Sequence, residues 1–249
     1  MTTEPILETF ALTRHFGGLA AVDQVAIELR PGELHAVIGP NGAGKSTLIN
    51  LLSGDLKPTA GRIRFAGREV AGLPAHRMAQ LGIGRSYQKT NILRALSALE
   101  NVRLAAQARH GQTRLLRIAG REASLVEHAR RALARVGLAA EDKSAGSLSH
   151  GGQRQLEIAM TLATDPSVLL LDEPLAGMGP EETRHMVALL RQLAADHAVL
   201  LVEHDMDVVF AVADRLTVMV NGSVLASGTP EAIRGNAAVR EAYLGEAVA

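Results

Sequence analysis

The chain contains no cysteine and no tryptophan, and aromatic residues make up only 2% of it. The absence of cysteine excludes disulfides and thiolate metal sites, which fits a reducing compartment. The scarcity of aromatic rings argues against recognition of nucleic acid by base stacking. Basic and acidic residues balance at 26 each, so the chain has no overall attraction to nucleic acid or anionic lipid. We therefore expect no nucleic-acid partner.

The sequence also lacks long apolar runs and an export signal. No apolar stretch approaches the ~18 residues that span a bilayer, and the first residues show no basic start followed by an apolar core. We therefore expect a cytoplasmic protein that is not an integral membrane protein by itself. Its 249 residues suffice for one large domain, or for a domain that carries an inserted subdomain.

A glycine-rich segment is the most informative motif that is present. It lies between Leu34–Ile38, which reads as a buried strand, and Thr47–Leu52, which reads as a helix. The segment satisfies the pattern G-x-x-x-x-G-K-[ST], in which backbone N–H groups cradle phosphates. Lys45 would reach the β- and γ-phosphates of ATP or GTP, and the Ser46 hydroxyl would hold Mg²⁺. The predicted nucleotide-binding residues here are Gly39, Pro40, Asn41, Gly42, Ala43, Gly44, Lys45, Ser46 and Thr47.

Two carboxylates follow a second apolar run, Val168–Leu171. Asp172 and Glu173 would lie at the carboxyl end of a central strand, where ligands of open α/β sheets bind. Asp172 would support Mg²⁺, and Glu173 would polarise water as a general base. Taken alone, the pair could equally well be acidic residues that end a strand. Together with the phosphate loop, it indicates nucleotide hydrolysis.

A second candidate anion site precedes a predicted helix from about Arg154 to Thr164. Ser149 is available as its cap, and Gly151 and Gly152 expose backbone N–H groups. By itself this segment reads more simply as an ordinary capped helix after a flexible turn. Two phosphate-directed sites in one chain suggest that two chains trap nucleotide between them.

The rest of the chain divides by pattern. Residues 5–38 and 62–68 read as strands and a hairpin, and residues 92–140 read as helical and basic. A helix is predicted from Pro180, and a hairpin around Asn221-Gly222. These patterns predict an α/β fold with a β-rich edge and a helical insertion.

The motifs G-P-N-G-A-G-K-S-T, Gln88, L-S-H-G-G-Q, L-L-L-D-E-P and E-H-D occur in order along nearly the whole chain. In this order and spacing they resemble the ATP-binding subunits of ATP-binding cassette transporters. The resemblance implies a phosphate-loop NTPase (RecA-like) core with an antiparallel β subdomain and an inserted α-helical subdomain. It implies a single domain, with core and β subdomain at 1–88 and 160–249 and helical subdomain at 89–159. The implied cofactors are ATP and Mg²⁺.

The same resemblance implies roles for individual residues. A head-to-tail dimer would place one chain's second anion site on the γ-phosphate held by the other, through Ser149, Gly151, Gly152 and Gln153. Gln88 would contact Mg²⁺ or water and face a membrane subunit. His204 would contact the γ-phosphate and orient Glu173. The implied catalytic residues are Glu173, His204 and Gln88, and the implied metal ligands are Ser46, Gln88 and Asp172.

Phe16 matches the aromatic residue that stacks on adenine in this family, because it stands ahead of the phosphate loop. A place in the core is the alternative for Phe16, since Phe10 is nearby and also apolar. One departure concerns the segment after Glu173, where many cassette ATPases carry S-A-L-D. Residues Leu175–Pro180 supply no aspartate here, so the contact that this aspartate makes across the dimer is not predicted.

Three segments narrow the resemblance: A-G-M-G-P-E, Glu203–Asp207 and the terminal Ala242–Glu246. They are similar to the larger ATPase of branched-chain amino-acid importers, whose urea and short-amide relatives look nearly alike. A cassette ATPase that acts outside transport as an ATP-driven dimerisation switch is the alternative of a different class, and an exporter ATPase is a further one. The residues of this chain do not themselves identify the solute, because in such transporters the permeases and a solute-binding protein recognise it.

The resemblance also implies partners and a location. The expected partners are two transmembrane permease subunits and a sister ATPase, with a heterodimer favoured over a homodimer. An extracytoplasmic solute-binding protein would be an indirect partner. The chain would then lie peripherally on the cytoplasmic face of the inner membrane.

Overall fold

The computed structural model describes residues 4–88, 91–109 and 118–244, with the backbone alone at 118–122, 243 and 244. Parts of four expected features lie outside these residues: the chain start at 1–3, positions 89–90 after Gln88, positions 110–117 of the helical stretch, and the terminal 245–249.

The described chain contains eleven strands, nine α-helices and one short 3-10 helix at Ala145–Ser147. The strands are β1 (Leu7–Phe16), β2 (Leu19–Val25), β3 (Glu28–Leu29), β4 (Leu34–Ile38), β5 (Ala60–Phe65), β6 (Arg68–Glu69), β7 (Ile83–Arg85), β8 (Val168–Asp172), β9 (Ala198–Val202), β10 (Arg215–Val220) and β11 (Ser223–Gly228). The helices are α1 (Lys45–Leu52), α2 (Ala75–Leu81), α3 (Ala98–Arg109), α4 (Ile118–Arg135), α5 (His150–Leu162), α6 (Pro180–Asp196), α7 (Met206–Val212), α8 (Pro230–Gly235) and α9 (Ala237–Leu244).

A six-stranded sheet in the order β11-β10-β4-β9-β8-β7 forms the centre of the molecule. Strands β10, β4, β9, β8 and β7 run parallel, and β11 joins the edge antiparallel to β10. Strands β4, β8 and β9 are buried along their whole length, because hydrophobic clusters pack against both faces of the sheet. Their continuous apolar runs are explained by this two-sided burial, and the predicted parallel strands at 168–171 and 198–202 are confirmed.

A second, antiparallel sheet has the order β2-β1-β5-β6, with β3 paired to β1. Both predicted hairpins are present. The turn between β5 and β6 places Ala66 and Gly67 at φ +47° and +74°, and the turn between β10 and β11 places Asn221 and Gly222 at φ +48° and +81°. Two successive positive φ angles match the strand twist in a two-residue hairpin. This sheet is the predicted β-rich edge.

Helices α3, α4 and α5 pack against one another and form the helical part of the molecule. On α4, Ala129 and Leu133 face the core, and Val136 is buried just beyond the helix end. Helix α5 continues through position 159, where the predicted helical subdomain ends. The subdomain bounds themselves stay a prediction. Among the described residues, no helix combines the length and apolarity needed to cross a membrane.

Candidate functional site

The glycine-rich loop connects β4 to α1, as predicted. Gly39, Gly42 and Gly44 have φ of +155°, +80° and +99°. A Cβ atom at Gly39 would lie 2.2 Å from the Met219 carbonyl oxygen, and one at Gly44 would lie 2.2 Å from the Ala21 carbonyl oxygen. Glycine is therefore required at both positions. The loop leads directly into the N-terminus of α1, an arrangement that binds phosphate through backbone N–H groups and the helix dipole.

Lys45 is buried at the start of α1. Its Nζ donates hydrogen bonds to the carbonyl oxygens of Gly39 at 2.5 Å and Pro40 at 2.9 Å. These bonds hold the ammonium group over the glycine-rich loop. The positive charge thus lies beside the backbone that would receive the phosphates.

The three predicted metal ligands, Ser46, Gln88 and Asp172, line one cleft of about 460 Å³. They offer a hydroxyl, an amide and a carboxylate oxygen, which are the hard ligands that Mg²⁺ accepts alongside phosphate and water. Among the described residues, no three His, Cys, Asp or Glu side chains cluster as a complete metal site. The donor set therefore fits a Mg²⁺ ion that is bound partly by the nucleotide.

Asp172 is buried at the end of β8, and burial raises the pKa of its carboxyl. The Arg85 guanidinium counteracts this rise, since its Nη2 lies 3.5 Å from Asp172 Oδ2. The nearby Glu173 raises the pKa of Asp172 further. Asp172 thus lies between an opposite charge and a like charge, at the wall of the cleft.

Gln88 and Glu173, 85 positions apart in the chain, are joined by a hydrogen bond. Gln88 Nε2 donates to Glu173 Oε2 at 2.8 Å. Glu173 has φ +47°, an unusual backbone angle for a residue with a side chain, which costs on the order of 1–3 kcal/mol. Its N–H donates to the Val202 carbonyl of the neighbouring strand. The structure thus brings two of the three predicted catalytic residues together.

His204 stands apart from that pair. Its side chain is 65% exposed, and its Nδ1 lies 3.7 Å from Glu203 Oε2. Among the contacts of residues 4–88, 91–109 and 118–244, none joins His204 to Glu173. The predicted orientation of Glu173 by His204 is therefore not part of this structure, because the ring faces solvent and its acidic neighbour is the adjacent residue.

Ser149 caps α5, as predicted: its Oγ accepts a hydrogen bond from the Gly152 N–H at 3.1 Å. The same hydroxyl lies 3.2 Å from Glu182 Oε1, to which it donates. A Cβ at Gly151 would come within 2.6 Å of that carboxylate oxygen. Gln153 donates through Nε2 to the Leu148 carbonyl at 3.0 Å. The start of α5 therefore packs on the start of α6, and its contact with a second chain's nucleotide stays a prediction.

Phe16 ends β1, and 44% of its surface is exposed. The guanidinium carbon of Arg14 lies 4.7 Å from the ring centroid, which is cation–π distance. This exposure rules out the alternative of a core position for Phe16. The ring is thus partly exposed beside the Arg14 guanidinium, and its stacking on adenine stays a prediction.

Four charged residues at the site were not predicted from the sequence: Arg85, Arg154, Glu157 and Glu203. Arg85 Nη1 donates to Asn50, Ser53 and Asp55. Glu203 is buried and accepts from the N–H groups of Leu175 at 3.0 Å and His204 at 3.2 Å, and burial raises its pKa. Three of these residues could have been found from the sequence. Glu203 belongs to the E-H-D motif, and Arg154 and Glu157 follow L-S-H-G-G-Q at helical spacing. No such signal marks Arg85.

The fold and the site can be compared with known proteins. Residues 22–176 match the family described as ABC transporter, and residues 223–249 match the family described as branched-chain amino acid ATP-binding cassette transporter. The chain is 44% identical to the high-affinity branched-chain amino acid transport ATP-binding protein BraF of Pseudomonas aeruginosa, over 98% of this chain and 100% of that protein. It is 41% identical to LivG of Escherichia coli K12, a protein of the same description, with the same coverage.

Solved structures agree with these relatives. A nucleotide-free ATP-binding cassette from an ABC transporter matches with a TM-score of 0.85 at 31% identity, over 96% of this chain and 98% of that one. An ATP-binding cassette in its ADP conformation matches with a TM-score of 0.86 at 30% identity, over 98% and 100%. The predicted phosphate-loop α/β fold and the resemblance to transporter ATPases are thereby confirmed. The chain belongs to the ABC transporter family, as an ATPase subunit.

Proposed function

We propose that this ATPase energises a membrane importer of branched-chain amino acids. The observation that carries the hydrolytic part is the bond from the Gln88 amide to Glu173, beside a cleft lined by Ser46 and Asp172. The substrate class is supported by the full-length relatives, whose printed descriptions name branched-chain amino acid transport, and by the family match at residues 223–249.

ATP binding would use the loop and its surroundings. The N–H groups of the loop and of the α1 start would bind the phosphates, and Lys45 would compensate their charge. Phe16, whose side chain is partly exposed, would stack on adenine. Ser46, Asp172 and Gln88 would hold Mg²⁺, which when bound neutralises charge on the phosphate oxygens.

Glu173 would act as the general base. The Gln88 amide donates to its Oε2, and Oε1 would accept a proton from the attacking water. The same bond would hold the Glu173 carboxylate in one position, as a base that acts on a bound water requires. His204, which is exposed in this structure, would act only after the γ-phosphate has arrived next to it.

A second ATPase chain would complete the site. Ser149, Gly151, Gly152 and Gln153 of that chain would contact the γ-phosphate, so that ATP binding closes the dimer and hydrolysis opens it. We propose a sister ATPase as this second chain, with a homodimer as the alternative. Two permease subunits would receive the movement at the cytoplasmic face of the inner membrane, where the chain would lie peripherally. A solute-binding protein would act from the other side.

Glu173→Gln in the purified transporter tests the hydrolytic assignment. The variant keeps the size of the side chain and removes the base, so turnover should fall at least about a hundredfold while ATP binding is retained. Glu181→Gln, at an exposed position in the first turn of α6, is the matched control and should hydrolyse ATP like the wild type. Unchanged turnover in the Glu173 variant would remove Glu173 from the mechanism.

Testing the substrate class requires the whole transporter assembly. The chain is purified from native membranes in mild detergent, its partners are identified by mass spectrometry, and the associated binding protein is titrated with leucine, valine and urea. Recovery of two permeases and a sister ATPase, with leucine or valine binding, supports the proposal. Urea binding would transfer the proposal to urea or short amides. Recovery of a soluble dimer without permeases would favour an ATP-driven dimerisation switch.

A further inference from the structure

A buried ion pair lies on the side of α5. Arg154 and Glu157 are three positions apart on this helix, and Arg154 Nη1 lies 2.9 Å from Glu157 Oε2. Each side chain is only 5% exposed. Taking two charges out of water is costly unless further hydrogen bonds satisfy them. The bonds that these two side chains make therefore hold their partners firmly.

Those partners are backbone groups on both sides of Gln88. Arg154 Nη1 donates to the Tyr87 carbonyl at 2.5 Å, and Nη2 donates to the Gln88 carbonyl. Glu157 Oε1 accepts from the Tyr87 N–H at 2.9 Å, and the backbone of Asn91 also donates to this carboxylate. The ion pair thus fixes the backbone from which the Gln88 side chain extends.

The Gln88 side chain continues this chain of contacts to Glu173, through the 2.8 Å bond between Nε2 and Oε2. Ser149 caps the same helix that carries Arg154 and Glu157. A displacement of α5 would therefore move the Gln88 backbone with it, because leaving it behind would strip a buried arginine and a buried glutamate of their partners.

We propose that Arg154 and Glu157 are positioning residues of the ATPase reaction, which hold the Gln88 amide on Glu173 and couple its position to helix α5. This inference rests on the proposed roles of Gln88 and Glu173. It assigns a task to two residues outside the phosphate loop and the acidic pair. It also means that contacts made at Ser149 by a second chain reach the general base through one rigid helix.

The test is a double-mutant cycle in the purified transporter, with kcat and KM for ATP as readouts. Arg154→Met removes the hydrogen bonds to the Tyr87 and Gln88 carbonyls. The kcat should then fall between about tenfold and a hundredfold, since a small misplacement of a catalytic group costs this much. KM and the affinity for a fluorescent ATP analogue should change less than about twofold. In a Gln88→Ala background, Arg154→Met should have little further effect, because the residue acts through Gln88.

Three further variants distinguish a positioning role from general misfolding. Glu157→Gln keeps the shape and an acceptor for the Tyr87 N–H while it removes the charge, and it should speed hydrogen exchange of that N–H as well as lower kcat. Arg130→Met breaks the ion pair between Arg130, an exposed residue on α4, and Glu141 beyond the end of that helix, and it should leave kcat and this exchange rate unchanged. Arg154→Lys keeps the charge but loses the two-pronged contact, so its kcat should lie between those of the methionine variant and the wild type.

The outcomes separate the inference from the proposed function. Suppose that Gln88→Ala slows hydrolysis, and that Arg154→Met lowers kcat by the same factor in the Gln88→Ala variant as in the wild type. The positioning role is then wrong, and the role of Gln88 stands. If Gln88→Ala leaves kcat unchanged, the role of Gln88 falls together with the inference, while Glu173→Gln still tests the base by itself. Loss of ATP affinity equal to the loss of kcat in Arg154→Met would also overturn the positioning role.

Discussion

His35 gives a quantitative prediction about the pH dependence of stability. It lies in β4 with 2% of its surface exposed. Its Nδ1 is 3.0 Å from the Glu28 carbonyl, which can only accept, so Nδ1 carries the proton and donates. Nε2 then accepts from the Thr217 hydroxyl at 2.8 Å, which in turn lies 2.9 Å from Ser227 Oγ. The network requires a neutral imidazole, and burial lowers the pKa of His35 to about 4 from 6.5.

The sign of the effect follows from this shift. Because the folded pKa lies below the unfolded one, the unfolded chain takes up a proton first as the pH falls below about 6.5. The stabilisation is fully present above that pH and is lost down to the folded pKa of about 4. Between about pH 7.5 and about pH 5, this one histidine should lower the free energy of unfolding by ~2 kcal/mol.

His35→Gln removes the titration and keeps one donor and one acceptor. The drop in unfolding free energy between about pH 7.5 and about pH 5 should therefore be ~2 kcal/mol smaller in the variant than in the wild type. Urea denaturation followed by far-UV circular dichroism measures it, since the chain has no tryptophan. His76→Gln, at an exposed position on α2, is the control. An identical drop in His35→Gln and the wild type would refute the reasoning.

Three further predictions concern the nucleotide site. Gly44→Ala should lower the free energy of unfolding by at least ~3 kcal/mol, because its Cβ would lie 2.2 Å from the Ala21 carbonyl oxygen. Gly42→Ala, with positive φ but open space, should cost only the backbone term of ~1–2 kcal/mol; equal losses in urea denaturation would contradict the clash. Phe16→Ala should weaken ATP binding about tenfold in a nucleotide titration and lower the free energy of unfolding by no more than ~1 kcal/mol, since the side chain is only partly buried. Lys45→Ala should weaken ATP binding at least about tenfold, and normal affinity by calorimetry would exclude its phosphate role.

Local chemistry made much of the fold predictable. The runs at 168–171 and 198–202 became the buried parallel strands β8 and β9, because uninterrupted apolar residues need cover on both faces. The hairpin at Asn221-Gly222 followed from two residues that accept positive φ. The phosphate loop followed from glycines whose freedom the loop requires. In each case the cause lies within a few residues of its effect.

The sequence by itself thus determined the phosphate loop, the acidic pair and the helix start at Ser149, because each depends on residues adjacent in the chain. Only the tertiary structure decided that Gln88 donates to Glu173, that Arg154 and Glu157 hold the Gln88 backbone, and that the His204 side chain is exposed to solvent. The order of strands brings β7 next to β8, and helix α5 contacts both β7 and the segment that follows it. The spacing of residues along the chain predicts neither the strand order nor the position of α5, since contacts between distant segments arise from the packing of whole elements.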